Sequence, residues 1–178
     1  MSKKKIYLIS GLKRSGKDTF GGLLANIYAE HGHKVELLSF AAPMKFILAT
    51  TLGISMDELD TLKDTGGCPH RGYLQRLGTE AMKPVFGEDV WANLAREAAD
   101  ESHADIVIFT DYRFPSESNI FPEAITINVE RGDVPAGDVH ISENALKDTT
   151  FDFYIENNSS LEELREVAKD FINAQEIT

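Results

Sequence analysis

The stretch that decides the fold is Gly11-Leu12-Lys13-Arg14-Ser15-Gly16-Lys17-Asp18-Thr19. It lies between a short apolar run at 6–9, typical of a buried strand, and apolar residues at helical spacing from Phe20 to Tyr28. Two glycines let the backbone curl, so that successive amides and the positive end of the helix point at one anion. The spacing Gly-x4-Gly-Lys therefore predicts a P-loop for nucleotide phosphates, in which Lys17 reaches the β- and γ-phosphates.

One position departs from the usual loop. Ser or Thr normally follows the lysine and its hydroxyl ligates Mg²⁺, whereas here Asp18 follows Lys17 and Thr19 comes next. A carboxylate is a hard ligand, so we expect Asp18 to bind Mg²⁺ directly or through water and Thr19 to bind the α-phosphate. The residues predicted to bind ATP are Gly11, Lys13, Arg14, Ser15, Gly16, Lys17, Asp18, Thr19 and, in a loop placed to edge the adenine, Asn157.

The net charge of the chain limits the kinds of partner that it is expected to bind. The chain of 178 residues carries 29 acidic and 18 basic side chains, a formal charge of −11. That balance argues against a nucleic-acid polymer as partner, although residues 1–17 hold six basic side chains and no acidic one. No apolar run approaches the ~18 residues of a membrane span, and the single cysteine, Cys68, fits a reducing compartment. We therefore expect a cytoplasmic protein with a small anionic partner.

Strand and helix patterns alternate along the chain. Strands are expected at 6–9, 35–40, 106–110, 125–129 and 151–155, with 106–110 central, and helices are expected between them, including 73–83 and 88–100. Capping boxes are expected at Ser55–Glu58 and Ser159–Glu162. The pattern predicts an α/β protein with a three-layer α/β/α P-loop NTPase fold and a five-stranded parallel sheet.

A second group of functional candidates follows the strand at 106–110. Asp111 is expected at the carboxyl end of that strand, where an acid holds Mg²⁺ or its waters; the alternative is a helix cap. Arg113 is placed to grip an acceptor phosphate, or else to form an ion pair with Glu117. Arg76 is either a similar ligand or a solvated side chain. Trp91 is either core or a stacking platform for a base.

The segment 131–150 is too long for a plain turn, so a lid or disorder are the options. Arg131 at its base would neutralise charge on the transferred phosphoryl group. The sequence His140-Ile141-Ser142-Glu143 would hinge or dock such a lid, or have no chemical role.

With these residues assembled, the chain resembles the bacteriophage deoxynucleoside monophosphate kinase family. The resemblance rests on residues 11–19, 75–79, 90–91, 110–117, 140–143 and 155–164, and is most specific in the phosphate loop and in Asp111-Tyr112-Arg113-Phe114-Pro115. It implies a fold like adenylate kinase with a short lid, and transfer of the γ-phosphoryl group of ATP to a deoxynucleoside monophosphate (dNMP). The host cytoplasm would be the location of a phage-encoded member.

The resemblance divides one kinase domain, 1–178, into a core (1–40, 104–130, 151–178), an acceptor-binding helical region (41–103) and a lid (131–150). The expected catalytic residues are Lys17, Arg14, Arg131, Arg113 and Asp111. The expected acceptor-binding residues are Arg113, Arg76, Arg71, Gln75, Thr79, Trp91, Phe40 and Glu117. Asp18 and Asp111 are the expected Mg²⁺ ligands, and ATP and Mg²⁺ the expected cofactors.

Two rival functions stay open at this point. One is another small-molecule P-loop kinase, similar to phosphomevalonate kinases, which share a Gly-Lys-Asp loop. The other is a non-catalytic nucleotide-binding module, although the Asn-Lys-x-Asp sequence of a GTPase is absent. We expect no membrane or nucleic-acid partner, and a homodimer is left open.

Overall fold

The computed structural model describes residues 4–62, 65, 69–132 and 145–176. The chain forms two compact units, one comprising Met1–Ser39 and Ala98–Thr178 and the other Phe40–Glu97. Each is described by itself below. The roles predicted above for individual segments remain predictions.

The first unit contains a five-stranded sheet in the order β2-β3-β1-β4-β5, in which all neighbouring strands are parallel. Its strands are β1 (Lys5–Ser10), β2 (Val35–Leu38), β3 (Ile106–Phe109), β4 (Ile125–Glu130) and β5 (Phe153–Glu156). The five-stranded parallel sheet is as predicted. The middle strand is β1, and β3, which was expected to be central, is a buried inner strand between β2 and β1.

Helices cover the sheet on both faces. The helices of the two units together are α1 (Lys17–Glu30), α2 (Ala42–Leu52), α3 (Met56–Leu62), α4 (His70–Arg76), α5 (Lys83–Phe86), α6 (Val90–Glu101), α7 (Pro115–Ile120) and α8 (Leu161–Glu176), and those on the sheet include α1, α7 and α8. On one face, Tyr7 and Ile9 of β1 share a buried core with Leu24 of α1 and Ile172 of α8. On the other face, the ring of Phe109 lies 5.3 Å from that of Phe121, which follows α7. This is the three-layer α/β/α arrangement predicted.

The unit Phe40–Glu97 is helical. Leu48, Ala49, Leu59 and Leu74 form its buried cluster. Where a single helix at 73–83 was expected, α4 is followed by a π-helical segment, Leu77–Met82, and by α5. The residue pattern gives no signal that predicts this π-helical segment. None of the helices in the described ranges has the length and apolarity that a membrane span requires.

The two predicted capping boxes have different outcomes. The first is confirmed: the Ser55 amide donates to Glu58 at 2.8 Å, and the Glu58 amide donates to the Ser55 hydroxyl at 3.1 Å. The second was placed one residue early. Because α8 begins at Leu161, its cap is Ser160, which exchanges the same two bonds with Glu163, each at 3.2 Å.

Capping position can be tested with two neighbouring serines. Ser160→Ala is expected to lower the free energy of unfolding by about 1 kcal/mol, because the amide of Glu163 loses its acceptor. Ser159→Ala is the comparison: it removes a side-chain hydrogen bond to the exposed Glu163 carboxylate but leaves the amide of Glu163 capped by Ser160, so it should cost less. Denaturant unfolding of both variants measures the difference, and equal losses would contradict the assignment of Ser160 as the cap.

Candidate functional site

The phosphate loop joins β1 to α1, at the carboxyl edge of the sheet. Gly16 adopts a left-handed conformation (φ +92°), and a Cβ there would lie 2.2 Å from Nδ2 of Asn157. Arg14 is also left-handed (φ +69°), the only such non-glycine residue among those described. Backbone strain of this kind is concentrated at functional sites. The loop is thus held in a conformation that its sequence alone would not favour.

Asn157, which follows β5, holds the loop. Its side chain is 6% exposed, and Nδ2 donates to the Ser15 carbonyl at 2.8 Å. Its own amide donates to the Glu130 carbonyl at 2.7 Å. The hydroxyl of Ser15 is buried and is the one buried side-chain polar atom, in the described part of the chain, without a hydrogen-bond partner. A polar atom of that kind fits a site built around a polar ligand.

Two carboxylates stand next to the loop, each with a hydroxyl donor. Asp18 lies 3.6 Å from Lys17 Nζ, and its Oδ1 accepts a bond of 2.7 Å from Thr110 at the end of β3. Asp111 Oδ2 accepts a bond of 2.6 Å from Ser39, just beyond β2. Lys17 itself is mostly buried, whereas the Asp18 side chain is 75% exposed.

This donor set suits Mg²⁺. Within the described ranges no group of three or more His, Cys, Asp or Glu is arranged to hold a metal by itself. Mg²⁺, however, usually takes one or two carboxylates together with waters and substrate phosphates. Asp18 and Asp111 therefore fit the ion as parts of a nucleotide site.

The turn after β3 is organised by Glu117. This carboxylate is 7% exposed, and its Oε2 accepts the amides of Arg113 at 2.7 Å and Phe114 at 3.0 Å. Burial raises the pKa of Glu117 to about 7; the two amides oppose that shift, and the charge of Asp111 adds to it. Both of these bonds come from the backbone, and the charge of Arg113, the ion-pair partner that the sequence offered, also opposes the upward shift of the Glu117 pKa.

The predicted ATP-binding residues converge on two clefts. One, of about 340 Å³, is lined by Arg14, Gly16, Asp18, Thr19, Arg131, Asn157, Ser159, Leu161 and Leu164. The other, of about 390 Å³, is lined by Leu12, Ser15, Asn128, Val129, Glu130, Arg131, Gly132, Glu156 and Asn158. Arg131 borders both. Three of the predicted residues line neither cleft: Gly11, Lys13 and Lys17. Lys13 is exposed.

The predicted acceptor-binding residues fall into both units. Arg113 and Glu117 belong to the sheet-containing unit, and the other six belong to Phe40–Glu97. There, Arg76 pairs with Glu80 at 3.3 Å and both are exposed. Phe40 is buried, Arg71 and Gln75 are exposed, and the Thr79 hydroxyl donates to the Gln75 carbonyl at 2.6 Å.

Trp91 is half-buried, and its indole Nε1 donates to the Gly78 carbonyl in the π-helical segment at 3.0 Å. Single π-helical turns are frequent at functional sites. Residues 133–144, which include His140–Glu143 and most of the predicted lid, lie outside the described residues.

Sequence reasoning did not identify Ser39 or Thr110. The available signal was their position, since each stands at the carboxyl end of a strand, where ligands bind in open α/β sheets. Asn128 and Leu12, which line the larger cleft, had no distinguishing signal. The pairing of hydroxyls with Asp18 and Asp111 depends on strand order.

The fold and loop together define a class: the chain has the fold of P-loop kinases. APS kinase CysC of Mycobacterium tuberculosis is 14% identical over 97% of this chain and 99% of that chain, with a TM-score of 0.50. Shikimate kinase of Acinetobacter baumannii, in complex with shikimate, is 13% identical over 97% and 93%, with a TM-score of 0.50. A protein of Thermus thermophilus is 20% identical over 97% and 98%, with a TM-score of 0.53.

A family model, deoxynucleotide monophosphate kinase, matches residues 68–167. The chain belongs to this family, and it is accordingly a phosphotransferase of the kinase class. The match includes the turn at Asp111–Glu117 and begins beyond the phosphate loop. It confirms the family indicated by sequence. A search of the curated proteins found no match.

The raised pKa of Glu117 has a consequence for stability. Between about pH 4.5 and pH 7 the folded protein keeps a proton that the unfolded chain releases, so the free energy of unfolding falls as the pH rises through that window. The cost of the ionised, buried group is fully present above pH 7 and amounts to about 3 kcal/mol. Glu117→Gln keeps an oxygen for the two amides and cannot ionise, so it should remove this slope.

The measurement is denaturant unfolding of wild type and Glu117→Gln at intervals from pH 4 to pH 8. Glu162→Gln removes an exposed carboxylate from α8 and serves as the control. Parallel curves for wild type and Glu117→Gln would contradict the account.

Proposed function

We propose that this protein transfers the γ-phosphoryl group of ATP to a deoxynucleoside monophosphate, giving ADP and a deoxynucleoside diphosphate and so serving nucleotide supply for DNA synthesis. The observation that carries the proposal is the cleft that Arg14 of the phosphate loop and Arg131, which follows β4, line together. Phosphoryl transfer depends on positioning and charge neutralisation, which two arginines and a P-loop lysine supply.

ATP would be held by the loop amides and by Lys17. Lys17 is a suitable point charge because its side chain is mostly buried and its ammonium lies 3.6 Å from the Asp18 carboxylate. Asn157 supports this role indirectly, since it fixes the loop whose amides bind the phosphates. The loop at Asn158 and Ser159 borders the clefts on the side where an adenine would lie.

Mg²⁺ would be held by Asp18 and Asp111 and would neutralise charge on the phosphates when bound. The protein's own part is to orient these carboxylates. Ser39 donates a hydrogen bond to Asp111, and Thr110 donates one to Asp18.

The acceptor phosphate would be gripped by Arg113, with Arg76 or Arg71 as the second cation. Glu117 fixes the turn that carries Arg113 by binding two of its amides. A phosphate oxygen of the acceptor is already ionised at neutral pH, so the reaction needs no general base. Trp91 and Phe40 would flank the acceptor base or sugar, with Gln75 and Thr79 nearby in sequence.

The proposal is tested by ADP release from ATP and Mg²⁺ with a panel of dNMPs, ribonucleoside monophosphates and phosphomevalonate. We expect turnover with one or more dNMPs. Lys17→Ala should reduce kcat by more than about tenfold, or about 1.4 kcal/mol, while circular dichroism shows an intact fold. Turnover on no nucleotide would overturn the proposal, and turnover on phosphomevalonate alone would support the rival kinase reading.

Arg113 gives a second test at the acceptor side. Arg113→Ala is expected to raise the KM for the dNMP with little change in the KM for ATP, because the lost contact is to the acceptor phosphate alone. Arg165→Ala is the control, since Arg165 pairs with Glu30 at 3.1 Å and lines neither cleft. If Arg113→Ala impaired ATP use instead, the residue would belong to the donor site.

A further inference from the structure

We propose that Thr110 is a positioning residue that orients the Asp18 carboxylate toward the divalent cation accompanying the nucleotide phosphates. The inference rests on the proposed function only in taking that ligand to be a nucleotide phosphate with its cation. Thr110 was not among the candidates that the sequence supplied.

The first support is the bond itself. Thr110 Oγ1 donates to Asp18 Oδ1 at 2.7 Å, joining the end of β3 to the first turn of α1. The other oxygen, Oδ2, lies 3.6 Å from Lys17 Nζ. Oδ1 of Asp18 is thus held by a residue at the end of β3, and Oδ2 lies on the side of Lys17.

The second support is the space made for Thr110. Gly21 lies one turn beyond Asp18 on α1, and a Cβ there would lie 2.4 Å from Thr110 Cγ2. Glycine in the interior of a helix costs stability relative to alanine. The glycine allows close approach of helix and strand, and that approach brings the hydroxyl of Thr110 within bonding distance of Asp18.

The third support is the type of residue found after the loop lysine and at the end of β3. In the usual P-loop a Ser or Thr follows the lysine, and an acid stands at the end of a neighbouring strand. Here the carboxylate follows the lysine in the loop, and a hydroxyl stands at the end of β3 immediately before Asp111. The strand therefore keeps its acid, Asp111, and the carboxylate added in the loop takes its hydrogen bond from the residue just before that acid.

Without a fixed hydrogen-bond donor, the Asp18 carboxylate would be poorly oriented to bind the cation. Its side chain is 75% exposed and would be free to change rotamer or to pair more closely with Lys17, which would weaken the attraction of that lysine for phosphate. A hydrogen bond from a fixed donor orients a metal-binding carboxylate, and loss of such outer partners reduces metal affinity by about 10- to 100-fold.

The experiment measures binding rather than turnover. ADP and tripolyphosphate are titrated into the protein by calorimetry, once with Mg²⁺ and once with EDTA, and the ratio of the two Kd values gives the tightening due to Mg²⁺. Thr110→Val keeps the shape and removes the hydroxyl, so its tightening should be about tenfold smaller than that of wild type. Thr110→Ser keeps the hydroxyl and should retain the wild-type ratio. Binding in EDTA and the Tm should change little in either variant.

A second pair of variants tests the geometry independently. Gly21→Ala places a methyl group against Thr110 Cγ2, so it should also reduce the tightening, although alanine favours the helix. The double variant Gly21→Ala/Thr110→Ser lacks Cγ2 and keeps the hydroxyl, so it should recover the tightening. A merely structural role of Thr110 would not predict this recovery.

The outcomes separate the two proposals. Suppose that wild type phosphorylates a dNMP. The role of Thr110 is then wrong, and the kinase proposal stands, if Mg²⁺ tightens binding to Thr110→Val as much as to wild type, or if Mg²⁺ does not tighten binding to wild type. If no nucleotide is turned over, yet tightening is lost in Thr110→Val and retained in Thr110→Ser, the role of Thr110 stands and the kinase proposal fails. Loss of tightening in Thr110→Ser equal to that in Thr110→Val would also overturn the positioning role.

Discussion

The burial of β1 on both faces is the constraint on which the rest of the first unit depends. Tyr7, Leu8 and Ile9 are inaccessible to solvent, and β1 has β3 on one side and β4 on the other. A strand in that position delivers the residues after it to the middle of the carboxyl edge of the sheet. The phosphate loop therefore emerges between the ends of β3 and β4, which bring Asp111 and Arg131 to either side of it.

The loop's shape is maintained from the far end of the chain. Asn157 follows β5, yet its amide group binds the carbonyl of Ser15 at 2.8 Å and leaves no room for a side chain at Gly16. The left-handed residue Arg14 carries a conformational cost that such contacts offset. A loop held in this way presents its amides without having to reorganise when an anion arrives, which is how preorganised sites gain affinity.

The carboxylates around the loop accept hydrogen bonds from neutral groups. Asp18 and Asp111 each accept a hydrogen bond from a hydroxyl, and Glu117 accepts two from backbone amides. For Glu117 these bonds only partly offset the desolvation that raises its pKa to about 7. Lys17 Nζ lies 3.6 Å from Asp18 Oδ2, and the neutral donors hold the carboxylates around the loop in place.

The sequence by itself determined the P-loop, the parallel α/β class and the family, because a Gly-x4-Gly-Lys motif between strand and helix is local and its chemistry is specific. It also placed Asp111 and Arg113, which follow an apolar strand directly. Only the tertiary structure decided that β1 is the middle strand, that Thr110 meets Asp18, and that Asn157 holds the loop. These depend on strand order and on contacts between residues far apart in sequence, and neither hydrophobic periodicity nor motif spacing carries information about them.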